Sequence, residues 1–410
     1  MSIPKKMQTP TEVRAQFPFF QDGQAGIHYL DNAASSQKPS CVIETMHRYY
    51  EHEHANIHRG VYGLSERATE RYEGVRKQLA AFVHAKRAEE IVFTSGSTES
   101  LNTIAFGLVE KLHPGDEILL TVAEHHANLV PWQMVAARTG ATIRYIPLTP
   151  EYRLDLEAAE KLFSAKTKVF ACAHISNVLG VIHPIETLIQ AAHAVGAYTV
   201  IDGAQGIVHL DVNVQALDCD FYVFSGHKML GPTGIGGFYG KYDRLCELSP
   251  LKGGGEMIES VTLERSTFKG PPHRFEAGTP PIAEGIALGS ALDFYAQLDR
   301  PRLEAANLAL STQLVAYLRG KQGYRILVPA DEKDWVGIVS FHHDRIHAHD
   351  FAAFADTQQV CVRAGHHCAQ PLMHALGVTA TTRVSPYLYN TQEDLDALLQ
   401  SLEQAESILG

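Results

Sequence analysis

At 410 residues the chain exceeds what one simple hydrophobic core holds and suits a large domain with a smaller companion. A formal net charge of -11 argues against nucleic acid or anionic membrane as general partners and leaves small molecules or proteins. No apolar run nears the roughly 20 residues that cross a bilayer, and MSIPKKMQTP leads into no signal-peptide apolar region, so the cytoplasm is the expected location.

The first segment, residues 1–28, is expected to pack with the smaller domain. From Ile91 to Tyr239, seven short runs rich in Val, Ile and Phe recur between helix-like stretches: EIVFTSG, DEILLTVAEHH, TIRYIPL, KVFACAHISN, AYTVIDGAQ, DFYVFSGHK and GIGGFYG. That rhythm predicts an α/β fold with a mainly parallel seven-stranded sheet, covered by helices on both faces, in a large domain spanning 29–282. Nearly every run ends in small or polar residues. In an open sheet of this kind, ligands sit outside the carboxyl ends of the strands, so these endings should line one crevice. The stretch from Gly253 to Pro281, with its GGG and GPP, reads as irregular connection. Beyond it, helical LEAANLALSTQLVAYLRG and EDLDALLQSLEQAESIL alternate with strand-like GIVSFHH, QQVCVRAG and TRVSPYLYN, which predicts a smaller α+β domain over 283–410.

Several strand endings carry chemistry. Lys228 follows the apolar run in Ser225-Gly226-His227-Lys228, and a lysine desolvated in such a crevice can condense with an aldehyde, as the lysines that carry pyridoxal 5'-phosphate (PLP) do. Taken alone, a strand-end lysine usually faces solvent; its companions reverse that reading. Asp202, ending TVID, can keep a pyridine nitrogen protonated, and Gln205 can reach a ring hydroxyl, although an Asp in this position is also a common turn or helix cap. Gly96, Ser97 and Thr98 sit between a strand and a helix, where backbone N–H groups and hydroxyls make a phosphate cradle; Ser225 and His227 can add to it. His125, in EHHANLVPW, can stack on a pyridine ring and relay a proton at neutral pH.

The six cysteines form no C-x-x-C pair and show no framework spacing, which favours free thiols over disulfides or a zinc site. Cys172 and Cys361 lie in apolar runs and read as inert core thiols. Cys368 differs. It sits in the polar loop RAGHHCAQP, where the adjacent imidazoles of His366 and His367 and the nearby Arg363 favour a nucleophilic thiolate. Zinc binding there is disfavoured because adjacent ligands rarely close a tetrahedral site, and no metal is expected. Arg363 and Arg383 can each clamp a carboxylate, with a surface ion pair as the plain alternative. GPTGIGG precedes a strand instead of opening a helix, which rejects dinucleotide binding.

Together, in this order, HANIHRG, AEHHANLVPWQM, ISNVLG, IDGAQG, LDCDFYVFSGHK, RFEAGTP and RAGHHCAQPL resemble the SufS/CsdA-type (group II) cysteine desulfurases, class V aminotransferase-like enzymes of PLP fold type I. The resemblance runs from YLDNAASSQKPS to RVSPYLYN, nearly the whole chain. It implies PLP bound covalently by Lys228, its ring held by Asp202, Gln205 and His125, and its phosphate held by Ser97, Thr98, Ser225 and His227. It further implies a homodimer in which Thr279 and His58 serve the partner's site, with Asn177, Arg363 and Arg383 binding substrate. The implied reaction converts L-cysteine to L-alanine and leaves a persulfide on Cys368 for an acceptor protein of the SufE/CsdE kind, supplying iron-sulfur cluster assembly. L-selenocysteine is an alternative substrate, and a selenocysteine lyase or another class V enzyme an alternative reading. The chain departs from the family pattern at Ser95-Gly96-Ser97, at Met229-Leu230 and at Pro386, the last of which could shift Arg383.

Overall fold

The computed structural model describes residues 6–21 and 26–409. Its centre is a seven-stranded sheet of β1 (Ile91–Thr94), β2 (Glu117–Thr121), β3 (Thr142–Ile146), β4 (Thr167–Ala173), β5 (Tyr198–Asp202), β6 (Phe221–Ser225) and β7 (Gly236–Gly240), in the order β1-β7-β6-β5-β4-β2-β3. Only β7 runs antiparallel to its neighbours, because the short segment 226–235 returns the chain directly and no helix carries it back to the starting edge.

The alternation of side chains along each strand divides the core into two layers. In β6, Phe221 and Val223 enter one layer, while Tyr222 and Phe224 enter the other. In β4, Val169 and Ala171 face Phe170 and Cys172 across the sheet in the same way. Each of the valines and phenylalanines among them, fully withdrawn from water, contributes about 2 kcal/mol of burial free energy. Helices Ser97–Gly107 and Val130–Thr139 cover one face, and helices Ser40–Arg48, Gly63–Phe82 and Ile282–Ala296 the other. Helix Ile282–Ala296 starts at the end of the expected large domain yet packs on its core; Ile286, Ala287 and Leu288 are all buried there.

A second sheet is built from β8 (Tyr324–Ile326), β9 (Val339–His343), β10 (Arg363–Gly365) and β11 (Thr381–Val384), all antiparallel in the order β8-β9-β11-β10. Helices Arg300–Arg319, Ala348–Thr357 and Gln392–Leu409 supply its own core. The N-terminal segment joins both bodies. Phe17 packs on Phe294 and Tyr389, whereas His28–Tyr29 pairs with Val360–Cys361 beside the small sheet. Buried Asp394 ties it down, accepting from Arg14 at 3.1 Å and meeting His28 Nδ1 at 2.9 Å.

One reading needs correction. The stretch Gly253–Pro281 is not irregular throughout: Ile258–Val261 and Ser266–Phe268 form an antiparallel hairpin that stands exposed. Its turn is closed by the Thr262 hydroxyl, which accepts from the N–H groups of Glu264 and Arg265. Glycine and proline at both ends hide this short alternation in the sequence.

Candidate active site

The endings of β1, β5 and β6 meet the edge of the small sheet around a cavity of about 280 Å³. At one end, the chain leaves β1 through Gly96, at φ 147°, and enters the helix that begins at Ser97. The Ser225 hydroxyl accepts from the Ser97 N–H and donates to the Ser97 hydroxyl, both at 2.9 Å. A side chain at residue 96 would bring its Cβ to 3.1 Å from that same Ser225 Oγ, so glycine keeps the cradle open. Ser97, Thr98, Ser225 and His227 all line this end. The helix N-terminus makes it a place for an anion.

At the floor, Lys228 closes the single helical turn after β6. Burial lowers its pKa to about 8, against the opposing pull of Asp202. Asp202 itself is raised by burial, with Lys228 acting the other way, and its Oδ1 also accepts from the Ala204 N–H at 3.0 Å. The turn role expected of this Asp therefore coexists with its position in the pocket. Gln205 is tethered through its amide, which donates to the Ala33 carbonyl at 2.7 Å.

His125 lines the pocket with Nδ1 accepting from the Ala127 N–H at 3.1 Å. Burial first, and the neighbouring Lys228 second, lower its pKa to about 3. The imidazole is thus a fixed neutral ring, where the sequence had suggested a group titrating near neutral pH. The difference is desolvation, which a sequence pattern does not report.

On the opposite wall, Asp31 joins the two arginines. Arg363 reaches it at 2.8 to 3.1 Å, and Arg383 Nη2 donates to its Oδ1 at 3.0 Å. Arg383 Nη1 also donates to the Asn177 carbonyl at 3.0 Å. Pro386 leaves this undisturbed: Arg383 stays in β11, in register with Ser340 and with Arg363.

Cys368 is exposed on the rim, between β10 and helix Gln370–Leu376, and both it and His367 adopt left-handed backbone angles, φ 55° and 51°. Of the two imidazoles expected to activate it, His367 is withdrawn from that role. His367 is buried, its Nε2 against Thr381 and its pKa lowered by burial to about 3, so it carries no charge for the sulfur. His366 Nδ1 accepts the Cys368 N–H at 3.1 Å. Asn177, expected at the substrate, lines the pocket and donates its amide to the His367 carbonyl at 2.8 Å.

His58 lies outside this pocket. It lines a separate cavity of about 180 Å³ with Gly278 and Pro280, which flank exposed Thr279, and its Nε2 sits 3.0 Å from Glu73. Sequence reasoning missed Asp31, Glu124 and His126. The first lies within the YLDNAASS run and the others directly beside His125, so position next to a recognised motif was the available signal.

The class V aminotransferase model matches residues 28–398. The chain belongs to the class V aminotransferase family. Class V relatives at high identity include a probable cysteine desulfurase of Halalkalibacterium halodurans, 45% identical over 97% of this chain and 98% of that protein. A cysteine desulfurase of Dickeya dadantii is 42% identical over the whole of both chains. Among solved class V structures, the cysteine desulfurase CsdA of Escherichia coli superposes with a TM-score of 0.92 at 39% identity, covering 98% of this chain and all of that one.

The class V cofactor is PLP. The pocket fits it: an enclosed amine of lowered pKa at the floor, a buried carboxylate beside it, a neutral ring on one wall and hydroxyls at a helix N-terminus at one end.

Proposed function

We propose that this chain is a PLP-dependent cysteine desulfurase that releases L-alanine from L-cysteine and keeps the sulfur as a persulfide on Cys368. The observation that carries this reading is that Cys368 and the enclosed Lys228 amine line one pocket. Identity of 42 to 45% with cysteine desulfurases over essentially the whole chain supports it.

Lys228 would hold PLP covalently, Asp202, Gln205 and His125 would hold its ring, and Ser97, Thr98, Ser225 and His227 its phosphate. When bound, PLP supplies an electron sink for charge developing at the substrate Cα. Once the substrate amine has displaced it, Lys228 is the base assigned to the Cα proton, and an amine with a pKa of about 8 can take it up near neutral pH. Arg363 and Arg383 bind the substrate carboxylate, with Asn177 beside them. The Cys368 thiolate then attacks the substrate sulfur. The S–S bond forms as the Cβ–S bond breaks, the bonding pair stays with carbon, and a proton completes alanine. Carbon is reduced by two electrons while the Cys368 sulfur and the substrate sulfur each give up one, so no outside oxidant enters.

Residues Thr279 and His58 serve the neighbouring site of a homodimer in this reading, and a sulfur-acceptor protein of the SufE/CsdE kind collects the persulfide for iron-sulfur cluster assembly. The enzyme works in the cytoplasm. The test is direct: record the visible spectrum, add L-cysteine, and measure alanine and protein-bound persulfide for wild type and Cys368→Ala. A coloured protein whose alanine production collapses in the variant supports the reading. Colour with alanine output untouched by the substitution removes Cys368 from the reaction.

A further inference from the structure

We infer that His126 is a positioning residue for Cys368, an inference that rests on the desulfurase reading above. His126 fastens the loop at two points, the cysteine's own carbonyl and the backbone two residues beyond it. Its backbone N–H donates to the Cys368 carbonyl at 2.7 Å, and its Nε2 accepts the Gln370 N–H at 3.0 Å. Both bonds hold the chain where it leaves the left-handed turn at His367 and Cys368, a conformation that non-glycine residues hold only when their surroundings enforce it.

The anchor behind the clasp is rigid. His126 is carried on the turn that follows β2, and buried Glu124 pins that turn. Its carboxylate accepts from the Thr121 hydroxyl and the Asn128 amide, each at 2.6 Å, and from the Ala173 N–H at 3.2 Å. Asn128 in turn accepts from Trp132 Nε1 at 3.1 Å, and Trp132 is completely buried. The same turn presents His125 to the pocket. One strand ending therefore sets the cofactor-facing ring and the nucleophile loop in a common frame, although Cys368 belongs to the other domain.

The consequence is geometric. An exposed loop sulfur has to meet a substrate sulfur over a short distance, and a misplacement of about 1 Å costs such a step as much as 100-fold. Only the side-chain half of the clasp can be removed by substitution. His126→Ala deletes the acceptor for Gln370, while in His126→Gln the amide oxygen can take the place of Nε2.

The experiment compares wild type, His126→Ala and His126→Gln, all as holoenzyme, by two readouts. The first is hydrogen exchange of the amides in 366–370; the second is single-turnover persulfide formation on Cys368 after mixing with L-cysteine. His126→Ala should exchange about 5-fold faster or more in this loop, as expected for loss of one hydrogen bond. Its persulfide formation should slow by about 10- to 100-fold, with the visible spectrum and its first change on adding L-cysteine intact. His126→Gln should return both toward wild type. Unchanged exchange and unchanged persulfide formation in His126→Ala overturn the inference, as does loss of the cofactor band, which would put His126 to work on the cofactor. If wild type itself forms no persulfide, the desulfurase reading fails, and the exchange data still decide whether the clasp exists.

Discussion

Replacing Asp31 by Asn removes the carboxylate shared by the two pocket arginines. The Arg363 side chain is 46% exposed, so its half of the ion pair contributes no more than about 1 kcal/mol. Arg383 is different: its side chain is 3% exposed, and burial already disfavours its charge, with Asp31 working against that. Breaking a buried pair by removing one partner costs about 3 to 5 kcal/mol. Arg383 keeps its bond to the Asn177 carbonyl, and the new amide oxygen still accepts, so the low end, about 3 kcal/mol, applies. At roughly 2.1 cal/mol/K of unfolding entropy per residue, a chain of this length loses about 3.5 °C in its thermal midpoint. Binding moves the other way. In the wild type an incoming carboxylate must displace the charged Asp31 from the arginines, and in Asp31→Asn it has only a neutral amide to displace, so L-alanine should bind about tenfold more tightly. Thermal unfolding with and without L-alanine, together with a titration of L-alanine into the holoenzyme, tests both arms. A midpoint equal to wild type with equal or weaker L-alanine binding refutes the assignment of Asp31 as the counter-ion of the arginine pair.

Gly96→Ala forces a side chain onto φ 147°, a region that glycine alone occupies freely, and against Ser225 Oγ; a loss of about 1 to 3 kcal/mol and weaker cofactor retention are expected, read as visible absorbance per protein after dialysis. His183 is buried with neither ring nitrogen bonded within the protein, and burial lowers its pKa to about 3, with His174 and Arg153 adding to the effect. Its unfolded form takes a proton as pH falls below 6.5, whereas the folded form refuses one until about pH 3, so its stability contribution is whole above pH 6.5 and drains away below it. His183→Leu should therefore raise the unfolding midpoint, by about 1 to 3 kcal/mol in stability, with a larger gain at pH 5.5 than at pH 7.5. An equal gain at both pH values would separate the effect from proton binding.

Much of the fold is legible in the chain because it rests on short-range regularities. The unbroken apolar run Phe221-Tyr222-Val223-Phe224 states that β6 is buried on both faces, and the polar endings Ser225 to Lys228, Asp202 and Ser97-Thr98 mark one edge of the sheet as the reactive one. The residue types that hold an aldehyde and a phosphate follow from chemistry alone. Other features depend on where distant segments meet. Asp31 bonds Arg383 across 352 positions, and His126 reaches Gln370 across 244, separations at which no local pattern exists to be read. Protonation is decided in the same way: His125, His183 and His367 are ordinary histidines in the sequence, and only enclosure by the folded chain withholds the water that would let them charge. Composition and periodicity determined which strands form and which chemistry gathers at their ends, since both depend on neighbours in the chain; the counter-ions, the loop clasp and the charge states came from tertiary packing, which alone sets distance and solvent access.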